Sequence, residues 1–462
     1  MAILRWVGNA AATYDTWTIT VANTWASGDT VTISLGRKEL VITLGASAST
    51  VVDDIAAEIA DAINATSNAT PGTGFTWNFG GQQFVEFTQV VATVNAAVVT
   101  LTAVNPGEPL GLVVTEVTAG TGTATEANSV VATGPNFLND ADNYLGGALP
   151  VDNDVLYFDR GSVSALYALD YFRANNIDLD VYITGDWTGS LGLPAIRAAS
   201  GSVDTYEEYR SRYFQMRGGS KVLQVLPGLN GTSGNGGELF IDLQDQATCT
   251  VSILAARGRS TVAPTISICG TTASTALADM IIRAGNVLIE PDDAPTSASK
   301  YFVPGSLVIG ERGRGLGSCV VTIGKNAALH LGGEIIQDGG TLTINAPTKS
   351  GSDVLSVKVA GGACYLASIG DDSEIVVEEG AYLYPTGSGT IVDVFCRGVL
   401  DYRRGGSKAI TTARFYKTAS LFAGGGDVPL TQAEFIGCNP LKLNACELPD
   451  DRQIVWSSPA TP

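Results

Sequence analysis

The sequence predicts a mainly β protein in two parts, a small α+β domain over residues 1–133 and a right-handed parallel β-helix (solenoid) over residues 134–446. Three observations predict it. Only 16% of the residues are charged, against roughly 25% in an average soluble domain, and glycine fills 54 of 462 positions. Apolar residues alternate with polar ones in most segments, while a helical period occurs in one. From residue 151 onward short apolar runs recur for about 300 residues, too long for a single sandwich.

Alternation opens in TWTITV, where Ile19 and Val21 share a face. It continues in TVTISLG (Val31, Ile33, Leu35) and ELVITLG (Leu40, Ile42, Leu44), with Gly or Ser turns between them. TVVDDIAAEIADAINA changes the period. Ile55, Ile59 and Ile63 recur every fourth residue behind Val51 and Val52, so a helix is expected at about 50–65, with Thr50 and Asp53 as its N-cap signature. Strands return in QVVATV, AVVTLTAV and GLVVTEV. The helix is expected to cover one face of a mainly antiparallel sheet. The Gly/Thr-rich segment 118–134 reads as the exit from this domain, strand-like at its end.

Beyond residue 151 the runs are DVLYF, DVYITG, LFIDL, TISICG, VLIEP, SLVIGE, CVVTIGK, TLTINA, LSVKVA, EIVVEE and TIVDVF. Stacked in register, their Val, Ile and Leu residues would form inward columns while Thr, Ser, Lys and Glu face water. The tail, 447–462, adds one strand-like run, QIVW, as a peripheral strand or an arm to a neighbour.

Composition narrows the function. Against 46 Asp and Glu stand 27 Lys and Arg, a formal net charge of −19, which offers no basic face for nucleic acid or anionic lipid. No stretch of about 18 apolar residues predicts a membrane span, and the N-terminus does not read as a signal peptide. Seven widely spaced cysteines without a C-x-x-C read as buried free thiols of a protein assembled in the cytosol. With one histidine, His330, neither a metal site nor a cofactor is expected.

The segment 134–164, GPNFLNDADNYLGGALPVDNDVLYFDRGSVS, is crowded with Asn and Asp. An EF-hand loop needs D-x-[DN]-x-[DN]-G and a Glu at position twelve, and Asp140, Asp142 and Tyr144 do not fit it. Asx-turn formers between the anchors Phe137, Leu138, Tyr144 and Leu145 read instead as structural punctuation. The pattern G-P-N-F-x-N-D-A-D-N-Y-x-G-G-A-x-P-x-D-N-D-V resembles the opening of uncharacterised β-helical virion structural proteins of tailed phages and prophages. GDWTGSLGLPAI (185–196), TYEEYRSRYFQM (205–216) and GVLDYRRGGSKAITTARFYKTASL (398–421) extend the resemblance, as does GDTVTISLGRKELVITLG with its helix.

That resemblance implies a capsid- or tail-associated part of the virion, and it brings no catalytic residues. The carboxylate pairs that could serve a glycosidase are Asp152/Asp154, Glu207/Glu208, Asp242/Asp245, Asp292/Asp293, Asp371/Asp372, Glu378/Glu379 and Asp450/Asp451. Adjacent acids on a strand face opposite ways, so a working pair would have to come from neighbouring coils, and each pair reads as a solvated turn. His330 lacks a G-x-S-x-G elbow, and GERGRG (310–315) lacks the Lys-Ser/Thr of a phosphate loop. The unusual patch is YEEYRSRYFQMRGG: Tyr206, Tyr209, Arg210, Arg212 and Tyr213 suit a glycan or protein partner, or a local clasp. The expected function is a non-enzymatic capsid decoration (cement) protein, built into the virion in the host cytoplasm, that projects a β-helix from the particle. It would form a homotrimer and contact other virion proteins such as the major capsid protein. The alternative is a tailspike or tail fibre that binds or cleaves a host surface glycan.

Overall fold

The computed structural model describes residues 1–36, 38–192, 213–217, 219–220, 222–229, 231, 236–243, 249–258, 264–269, 279–289, 306–313, 318–324, 334–345, 356–367, 372–422, 430–437 and 453–457. Its strands form two long parallel sheets, of fourteen and ten strands, and two four-stranded antiparallel sheets. The chain is mainly β, and the parallel sheets are consistent with a β-helix.

The chain opens with β1 (Ile3–Arg5), followed by β2 (Thr16–Ala22), β3 (Thr30–Leu35) and β4 (Lys38–Leu44). The segment with the helical period forms α1 (Val52–Asn64). Then come β5 (Phe75–Trp77), β6 (Val90–Asn95), β7 (Val98–Ala103), β8 (Leu112–Val117) and β9 (Thr123–Val130). These make two sheets rather than one, ordered β6-β7-β2-β9 and β5-β4-β3-β8. Alternation tells which face of a strand is buried but not which strands share a sheet. Ile19, Val31, Leu40 and Val99 from the sheets, and Ile55, Ile59 and Ile63 from α1, meet in one fully buried core. The N-cap also differs from expectation. It is Val51, with no side-chain cap. The Ser49 hydroxyl instead accepts from the Val51 N–H at 3.2 Å and donates to Asp54 at 2.6 Å.

β1 belongs elsewhere. It pairs in parallel with β10 (Asp154–Phe158), Leu4 opposite Leu156, and so forms the end strand of the fourteen-stranded sheet. Trp6 follows it into the core, edge-on to Tyr144 at 5.6 Å and tilted against Phe158 at 5.9 Å. Residues 1–10 therefore join the second part of the chain, and the antiparallel module is spliced between the first two strands of the parallel sheet. Three residues are too few for periodicity to have revealed this. Where the module leaves and rejoins, Thr13 N–H donates to the Thr133 carbonyl at 3.0 Å and Thr133 N–H to the Thr13 hydroxyl at 2.9 Å.

From Phe214–Gln215 to Leu430–Ile436 the described strands alternate between the two parallel sheets, and from Val222–Leu226 on each pairs with the strand two before it. One core runs beneath both sheets from Leu4 to Phe435. Its columns are set by register: Leu156, Val181, Leu223, Val251 and Met280 stand in line, as do Ile282, Ile309, Gln337 and Val359. Gln337 is the polar break in that line. Fully buried, it donates to Gly340 O at 3.1 Å and Ala363 O at 3.0 Å, tying the corner between the sheets to the next one. The corners are tight. Gly340 and Gly362 have φ of 70° and 78°, and a Cβ on Gly362 would collide with the Gly340 carbonyl.

Thiols line the core too. Cys249, Cys269, Cys319, Cys364 and Cys396 are free and buried; Cys438 and Cys446 lie outside the described residues. Burial pushes Cys249 and Cys396 up to about 12 and Cys319 up to about 11. All three therefore stay protonated and shielded under mildly alkaline conditions. Iodoacetamide at about pH 8 is expected to leave them unmodified in native protein and to alkylate them in denaturant, read by peptide mass spectrometry. Native labelling at the rate of a free thiol would contradict this.

Candidate functional site

The Asn/Asp-rich segment is a structural junction. Asn143, fully buried, accepts from the Ala10 N–H at 2.8 Å and donates to the carbonyls of Gly134 and Phe137, each at 2.8 Å. Its own carbonyl takes the N–H groups of Val7 and Gly8 at 2.8 and 3.2 Å. The Tyr144 hydroxyl donates to Leu138 O at 2.6 Å, and burial holds it well above the usual tyrosine range. Asp154 accepts from the N–H groups of Ala2 at 2.5 Å and Val151 at 3.1 Å. Asp152 accepts from the Asp178 N–H at 3.0 Å, and Asp140 from the Asp142 N–H at 3.1 Å. Asp159 pairs with Arg5 and Arg160. Buried and half-buried members are thus spent on backbone and ion pairs. Among the described residues no three His, Cys, Asp or Glu side chains gather around a possible metal position.

Of the aromatic-arginine patch, Tyr206, Tyr209, Arg210 and Arg212 lie outside the described residues. Tyr213 is 9% exposed and stands edge-on to Phe240 at 5.9 Å, an anchor more than a free contact. Arg217 pairs with Asp178 at 3.1 Å. His330, Asp245 and the side chains of Glu207/Glu208, Asp292/Asp293, Asp371/Asp372 and Asp450/Asp451 also fall outside the described residues. Asp242 is buried.

Two surface features escaped the sequence reading. On the ten-stranded sheet, Tyr365 and Tyr384 stack at 4.7 Å, with Tyr382 parallel to Tyr384 at 6.3 Å. Arg404 lies 4.9 Å from the Tyr384 ring. Arg403 covers Phe422 at 4.1 Å while it grips Asp401 through bonds of 3.0 and 2.7 Å, which hold the Asp401 carboxyl below its ordinary range. Tyr382 is 41% exposed.

The second feature is an open cleft of about 370 Å³ at the corner leaving the fourteen-stranded sheet, lined by Arg312, Ile336, Asp338, Lys358, Ala360 and Glu378. Asp338, Ala360 and Glu378 each follow the last residue of consecutive paired strands, Gln337, Val359 and Val377. Ala360 leaves a gap between the two carboxylates. Arg283 pairs with Asp338 at 3.3 Å, and Arg397 with Glu378 at 3.2 Å. Lys358 stands between Ile336 and Val376 in register. The signal was present: the residue after each apolar run (IIQ-D, VKV-A, IVV-E) marks a corner, and at Asp338 and Glu378 it is half-exposed. The chain matches no protein-family model and no curated protein.

Proposed function

We propose that the two parallel sheets are faces of a right-handed β-solenoid, and that the protein is a non-enzymatic structural component of a tailed-phage virion. In this reading it is a decoration protein, anchored by one part and projecting the other from the capsid. The segments that resemble phage β-helical proteins support it. So does the rule that crossovers between parallel strands are right-handed in about 98% of cases. One structural observation carries it: an unbroken core from Leu4 to Phe435 under two parallel sheets, with a separately cored antiparallel module spliced in beside its first strand. That arrangement suits a stiff projecting element with a distinct attachment unit. Exposed end strands favour burial against further copies, and a homotrimer is the assembly we favour.

Quantitative mass spectrometry of purified particles, with light scattering of the free chain, tests this. The expected result is a fixed ratio to the major capsid protein and three chains per free assembly. Absence from particles would defeat the proposal. A second reading, a tailspike or fibre that contacts host glycan, draws on the exposed Tyr382 beside Tyr384 and Arg404. A few copies confined to the tail tip would favour it.

A further inference from the structure

We infer that the corner cleft between Asp338 and Glu378 binds an acidic saccharide, with the ligand's carboxylate on Lys358 and Arg312 and its hydroxyls on the two acids. The inference goes beyond the structural role proposed above, and holds for a capsid-mounted or tail-mounted chain alike.

Charge is the first ground. Around the cleft stand four cations, Arg283, Arg312, Lys358 and Arg397, and two carboxylates, Asp338 and Glu378. Arg283 and Arg397 already engage the carboxylates. Lys358 and Arg312 form no ion pair among the described residues, although the protein carries a net charge of −19. An ammonium between Ile336 and Val376, with no ion-pair partner among the described residues, can receive an anion.

Shape and spacing make the second ground. Asp338 and Glu378 sit two strand steps apart, roughly 10 Å between backbones, with the small Ala360 between them. The cleft's volume of about 370 Å³ lies within the range of small-ligand sites, about 300–1,000 Å³. A bare anion would meet Lys358 and Arg312 but also two carboxylates that repel it. A neutral sugar would satisfy the carboxylates and leave both cations unanswered. A sugar that carries a carboxylate satisfies all four. Both acids already accept from arginine, and the inference is of binding alone, with no hydrolytic step.

The test is calorimetric titration of the full chain with 3′-sialyllactose, a galacturonate tetramer, lactose and sodium phosphate. At least one acidic saccharide is expected to bind, while lactose and phosphate do not. Lys358→Ala and Arg312→Ala are each expected to weaken that binding about ten-fold, because each removes a charge-assisted contact. Both side chains reach solvent, so thermal unfolding of the variants should match the parent and separate lost binding from lost fold. Failure of both acidic saccharides to bind overturns the inference. So does binding by both variants as tight as the parent's, or displacement of the sugar by phosphate at matched concentration.

Discussion

Replacing Arg257 with methionine is expected to destabilise the protein by about 3–5 kcal/mol, among the largest effects of any single substitution here. The side chain is 2% exposed, yet no carboxylate is bonded to it among the described residues. Its guanidinium donates to the carbonyls of Thr184 at 3.2 Å, Trp187 at 2.6 Å and Gly189 at 2.8 Å, and lies 5.2 Å from the Trp187 ring. Burial pulls it down to about 10, so it stays charged at neutral pH. Methionine fills the volume but strands the buried carbonyls of Trp187 and Gly189, each costing about 1–3 kcal/mol without a donor, while Thr184 O keeps the Trp187 N–H at 3.2 Å. Arg257→Lys should recover only part of the loss, since a point charge cannot fork across three acceptors. Denaturant unfolding followed by tryptophan fluorescence measures both. An unchanged midpoint for Arg257→Met would refute the clamp.

The second large effect belongs to Asn143. Asn143→Ala removes three buried hydrogen bonds and is expected to cost about 3–5 kcal/mol. Asn143→Asp should be worse at neutral pH, because one carboxylate oxygen would face the carbonyls of Gly134 and Phe137. The new carboxyl would have its folded-state pKa raised above its unfolded value. Its deficit should therefore be smallest at low pH and grow as pH rises through the folded value. Hydrogen exchange at Leu4 and Trp6 would report the release of β1 directly. Protection of those amides equal to the parent's would show that Asn143 does not hold the strand.

Much of this was legible in the sequence, and the gaps have physical causes. Alternation in TVTISLG and the fourfold spacing of Ile55, Ile59 and Ile63 announce elements whose information is local. β1 was not legible, because ILRW carries no period and pairs across about 150 residues. Asn143 looked like Asn139 in sequence, yet one is fully buried and the other exposed. Burial of a polar residue depends on what later folds over it. The cleft was hidden for the same reason: Asp338, Lys358 and Glu378 are distant in the chain and become neighbours only when the strands are set in register.

The bonded pair Thr13 and Thr133 has an evolutionary consequence. The antiparallel module leaves and returns through adjacent points, so its boundary is a pair of hydrogen-bonded threonines and not a change in the parallel sheet. A unit with such a neck is exchangeable. The antiparallel module can be exchanged at this position, by recombination at two sites, without re-registering any described strand of the parallel sheets between Asp154 and Ile436. Diversity should therefore accumulate in the antiparallel module as whole replacements and in the parallel sheets as isolated changes.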